Sequence, residues 1–100
     1  MKKPDKYGVR LGTKNFRRVK SSAARSIDYD ERLKIIEIEY SSKDIYHYEN
    51  VKKSEWDKFV SYAKKEKGLG VYISEFKEKY ESSYYYYYKL IISFPEEALV

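Results

Sequence analysis

Cysteine is absent from this sequence, which excludes disulfides, thiolate metal sites and a thiol nucleophile. Histidine is nearly absent. With His47 alone, no histidine pair can form within one chain, either for metal binding or for acid–base catalysis. A catalytic reading would have only lysine, carboxylate and tyrosine chemistry left to it, so a non-enzymatic protein without cofactor or metal is expected. Long hydrophobic runs are missing too. No apolar stretch follows Lys2 and Lys3, so no signal peptide is expected. The longest run, Tyr84 to Phe94, is interrupted by Lys89 and is too short to cross a bilayer. A soluble, cytoplasmic protein with no membrane partner is the expectation.

What is present argues for a folded chain. Hydrophobic residues make up 42% and aromatics 18%, which outweighs the disordering effect of 37% charged residues. One hundred residues suffice for a single small core. Thirteen of the aromatics are tyrosine, a residue whose apolar body and polar tip suit interfaces as well as cores. The net charge of +5 is unevenly spread: residues 1–25 carry nine Lys or Arg against Asp5 alone, and the remainder is net acidic. A surface of that sign attracts phosphate or an acidic partner; the alternative is a solvated basic arm that helps solubility.

Along the chain, Pro4, Gly8 and Gly12 among charges read as an arm over 1–14, with a short strand at Tyr7 to Leu11. Ile27 and Tyr29 alternate with Ser26 and Asp28, and Ile36, Ile38 and Tyr40 alternate with Glu37 and Glu39. These are two strands joined by a polar turn at Asp30, Glu31 and Arg32, with one covered face and one wet face. Ile45 to Tyr48 makes a third, so a meander is expected. The period then lengthens. Trp56, Phe59, Val60 and Ala63 mark a helix with Ser54 as its N-cap and Gly68 as its stop. Ile73, Phe76 and Tyr80 mark a second, from about Tyr72 to Glu81. Tyr84 to Tyr88 run into Leu90, Ile91 and Ile92 as a further strand closed by Pro95. The predicted class is α+β: an antiparallel sheet of three to five strands packed against two helices of the C-terminal half, with a tyrosine-rich strand at 82–100 following a domain at 15–81.

Several landmarks together resemble the KTSC domain family. Val19, Ser21 and Ser22 are similar to its opening Val-x-Ser-Ser, and Ile27, Tyr29 and Asp30 to its Ile-x-Tyr-Asp. Tyr46, Tyr48 and Val51 are similar to its Tyr-x-Tyr-x-x-Val. Trp56, Phe59 and Ala63 match the stripe of its helix, and Gly70, Tyr72, Ile73 and Tyr80 its closing segment. Where the family has Ser-x-Gly after that helix, this chain reads Lys67, Gly68, Leu69, Gly70. The family occurs alone and at the C-terminus of some lysyl-tRNA synthetases, so the resemblance implies a fold and points toward RNA or protein contact. The bias to Lys, Glu, Ile and Tyr is similar to that of small proteins of hyperthermophilic archaea and their viruses, for which the compartment would be the host cytoplasm.

The candidate nucleic-acid surface is Arg17, Arg18, Lys20, Ser21, Ser22 and Arg25, with Phe16 and either Tyr46 or Tyr48 as rings for stacking. Ser21 and Ser22 beside Lys20 and Arg25 could hold a phosphate, but with no Gly-rich loop or helix N-terminus in view a turn at a strand start is preferred. Tyr46 and Tyr48 are expected under the helix bearing Trp56. His47 is expected to point outward, and Asp28, Asp30 and Glu31 to be turn and surface residues. Tyr84, Tyr85, Tyr86, Tyr87 and Tyr88 would make both faces of a strand aromatic, so either the strand is sandwiched inside the domain or a second copy buries one face by sheet extension or face packing; self-association into a homodimer, as of a structural or assembly protein, is the favoured reading. The partners in view are thus RNA or DNA, and a second copy.

Overall fold

The central strands form because β-branched and aromatic residues recur every second position, and all strands but the first pair in the order of the chain. A computed structural model describes residues 6–8, 10–80 and 82–87, with side chains over 10–80. The elements are β1 (Lys6–Gly8), β2 (Arg17–Arg18), β3 (Ala24–Asp30), β4 (Ile35–Tyr40), β5 (Ile45–Tyr48), α1 (Lys53–Lys65), α2 (Leu69–Lys79) and β6 (Ser82–Tyr87). They build one sheet in the order β1-β6-β5-β4-β3-β2. From β2 to β6 every pairing is antiparallel, and β1 joins β6 in parallel. The expected α+β meander with both helices in the C-terminal half is observed. The short strand expected in the arm is present as β1, and it finds its partner only at β6, far along the chain.

Asp30 closes the β3–β4 hairpin: its carboxylate accepts the backbone N–H groups of Arg32 and Leu33, and Lys34 completes the turn at φ 57°. A bulge at Arg25 then shifts the alternation of β3. It lets Ala24 and Ile27 both face the helices while the Arg25 side chain stays 45% exposed.

One face of the sheet carries Ile27, Tyr29, Ile36, Ile38 and Tyr48, all buried against Trp56 and Phe59 of α1 and Leu69, Tyr72, Ile73 and Phe76 of α2. The Tyr29 ring stacks on Trp56 at 5.5 Å, and its hydroxyl donates to the Val51 carbonyl at 2.6 Å. Phe59 meets Tyr72 and Phe76 edge-on, both at 4.9 Å. The Tyr72 hydroxyl donates to the Glu55 carboxylate and ties α2 to α1; burial, then that bond, pushes the phenol up from its usual value.

The helix ends differ from the sequence expectation. Lys52 occupies the N-cap position of α1 and makes no side-chain cap bond; Ser54 lies inside the first turn. Glu66, not Gly68, terminates α1. It takes the left-handed conformation at φ 55°, and its N–H reaches the carbonyls of Tyr62 and Ala63. Gly68, at φ 84°, instead caps α2, whose first residue, Leu69, lies three residues before the expected start at Tyr72. A Cβ on Gly68 would meet the Tyr62 ring at 3.3 Å. Gly68→Ala is therefore expected to lower stability by about 1–2 kcal/mol, the cost of a left-handed L-residue. Thermal melting checks this, and an unchanged midpoint would mean that the corner does not need that backbone.

The second face of the sheet is the main surprise. Glu37, Asp28 and Ser26 are fully buried there, and His47 is 5% exposed. The chain from Arg10 to Asn15 lies across them, so this part of the presumed arm is integral to the packed unit. The outward His47 and surface Asp28 expected from sequence are thus corrected, because period-two alternation reports which face is polar and not whether water reaches it. The strand β6 has a neighbour on each side. β1 faces Tyr85 to Tyr87 and β5 faces Ser82 to Tyr85, while the side chains of Tyr84 to Tyr87 and all of Tyr88, on which the expected self-association would rest, lie outside the described residues.

Candidate functional site

Two short segments flank the outer edge of the sheet, and the basic residues sort onto opposite sides of it. In β2, Arg17 is opposite Ile27 and Arg18 opposite Ser26. Arg17 thus leans to the helix side, half-buried, with its Nε–H buried and unpaired. Arg18 is exposed on the other face. There Arg25 joins it, with its Nε 3.9 Å from a Glu39 carboxylate oxygen.

Lys20, Ser21 and Ser22 belong to the helix side. The Val19 N–H donates to the Arg25 carbonyl, and the chain then turns, with Ser21 Oγ accepting the Ala23 N–H. This turn lies against the start of α2, where a Cβ at Gly70 would sit 3.5 Å from that of Ala23. Between them is a depression of about 240 Å³ lined by Lys20, Ser21, Ser22, Glu66 and the run Lys67 to Gly70. α2 has no side-chain cap and no acid in its first turn. Its first N–H groups and the positive end of its dipole therefore remain available to an anion. Lys20 is 83% exposed and 3.8 Å from Glu66, a solvated pair that contributes little. The helix N-terminus found missing in the sequence is thus present, contributed by residues some fifty positions away that spacing alone could not bring together.

On the second face the strap is held by charge. Arg10 Nε donates to Glu37 at 2.8 Å and Arg10 Nη2 to Ser26 Oγ at 2.9 Å. The Leu11 N–H donates to Glu37 at 3.2 Å, the Thr13 N–H to Asp28 at 2.9 Å, and the Asn15 amide to the Tyr29 carbonyl at 2.8 Å. His47 Nε2 donates to Glu37 at 2.8 Å. Burial alone would raise the Glu37 carboxyl, but the His47 bond and the charge and bond of Arg10 outweigh it and hold the group below its ordinary value. With its oxygens occupied by three donors, Glu37 is a strut and not a free base. Sequence reading missed Arg10, Glu37 and His47 as a unit. The available signal was a basic arm preceding strands whose polar face carries Asp28, Glu37 and Glu39.

Phe16 stands beside this strut. It is 39% exposed, and the Arg10 guanidinium carbon lies 5.9 Å from its ring centroid. Tyr46 and Tyr48 are not with it. They stack at 6.4 Å in a second depression of about 240 Å³ shared with Tyr40, Ser42, Asp44 and Lys77. Tyr48 is in the core against Phe76, as expected of a residue under the helices. The Tyr40 and Tyr48 hydroxyls bond at 2.6 Å, and burial, then that bond, pushes the Tyr40 phenol up. Among the described residues, no group of three or more His, Asp or Glu could hold a metal ion, and no helix is long and apolar enough to cross a membrane.

The family model of the KTSC domain matches residues 20–80, more than half of the chain. The chain belongs to the KTSC domain family. In this KTSC domain the matched span runs from Lys20 at the depression, through β3, β4 and β5, to the end of α2. The depression's serines and glycines lie inside it. The segment from Arg10 to Asn15, β2 with Arg17 and Arg18, and β6 lie outside the matched span. No curated protein matches the sequence.

Proposed function

We propose that this KTSC domain is a non-enzymatic binding module that holds nucleic acid through its phosphates, without reading sequence. The observation that carries the proposal is the uncapped first turn of α2 opening onto Ser21, Ser22, Lys20 and Lys67. Backbone N–H groups, hydroxyls and ammonium groups converging on one small depression are the donors that phosphate oxygens accept. Arg18 and Arg25, around the same sheet edge, extend the positive surface for neighbouring phosphates. A non-enzymatic reading is supported by the commitment of the one histidine to Glu37.

The test is titration of a mixed-sequence oligonucleotide at two ionic strengths. Affinity should fall with added salt with a slope of about −0.7 per contacted phosphate on a single strand. Lys20→Ala combined with Lys67→Ala should weaken binding to all sequences alike and flatten that slope by roughly 1.4. Binding that ignores both salt and the double substitution would remove the proposal.

A further inference from the structure

We infer that the nucleic acid held at this edge is single-stranded and that one of its bases stacks on Phe16. The inference rests on the phosphate-binding reading and narrows it by a separate observation. Phe16 is not merely an isolated apolar residue at the surface, as Leu33 is on the β3–β4 turn. Its backbone N–H donates to the Thr13 carbonyl at 3.1 Å, which fixes the residue at the end of the strap. Arg10, next to the ring, is itself pinned by Glu37 and Ser26. The ring is thus held before any ligand arrives, and little side-chain freedom is lost on binding.

Two further cations lie on the same face. Arg18 follows two residues along an extended segment and so projects to the same side, and Arg25 reaches Glu39, to which Arg10 also bonds. An exposed ring with an exposed guanidinium group two residues along the same face, here Arg18, is an arrangement in which a base stacks while an adjoining phosphate is neutralised. A duplex cannot use it, because its bases already stack on each other and present only their edges. Neither ring nor guanidinium reads the sugar, so RNA and DNA strands are equivalent here.

Fluorescence anisotropy with three probes of equal length tests this: a mixed single strand, its duplex, and an abasic single strand. The wild type should prefer the mixed single strand. Phe16→Ala should weaken that complex about tenfold while leaving the abasic strand's affinity unchanged, and Phe16→Trp should restore it. The abasic probe also reports whether the variant is folded. If all three probes bind equally with a salt slope, or if Phe16→Ala binds the mixed strand as the wild type does, stacking is overturned and the phosphate reading survives. If no probe binds, both fall.

Discussion

Glu37→Gln is expected to destabilise the protein by about 3–5 kcal/mol, the range for breaking a buried ion pair and leaving its partner uncompensated. The carboxylate is fully buried and takes donors from Arg10, Leu11 and His47. An amide in its place keeps the shape, loses the charge and turns a donor toward the guanidinium. The effect should depend on pH. Folding lowers the Glu37 pKa from its ordinary 4.5, so the unfolded chain binds the proton more tightly. The stabilisation is complete above about pH 4.5 and drains away as the pH falls through the lower folded value. Denaturant titrations of both proteins across this window should show the gap between them closing toward acid. A gap that stays constant would mean that the charge of Glu37 does not hold the strap. Hydrogen exchange adds a local readout, with the Leu11 and Thr13 amides losing protection first.

Phe59→Ala should cost a similar amount, about 3–5 kcal/mol, for a different reason. The ring is fully buried and is packed by Trp56, Tyr72 and Phe76. Removing it leaves a cavity at the junction of both helices with the sheet. For a domain of this size the midpoint of thermal unfolding should drop by roughly 15–30 °C. Domains of this size have only about 5–15 kcal/mol in total, so the variant would be marginal. A drop of a few degrees would mean that the helices close over the space more readily than close packing allows.

The covered face of the sheet could be read from sequence because Ile36, Ile38, Trp56 and Phe59 each announce their side by periodicity, and a local pattern has only one way to bury them. The opposite face could not. Glu37, Glu39 and Asp28 look like residues bound for water, and nothing within a few positions says that Arg10 will come to lie over them. The same limit hid the depression beside the start of α2. Ser21 and Ser22 are a turn by themselves, and become half of a site only beside Gly68 and Gly70. Gly68 misled in another way: glycine reads as a helix stop, yet Glu66 accepted the left-handed conformation and left the glycine to cap the next helix. Local chemistry is legible in a sequence where it depends on neighbours in the chain, and illegible where it depends on neighbours made by the fold.

β1 pairs only with β6, its register setting Lys6 against Tyr85. Of these six strands the first to be synthesised is therefore the last to be placed. The layer of β3, β4 and β5 can assemble while translation continues, but the leading segment must wait for the trailing one. Deleting β6 would release β1.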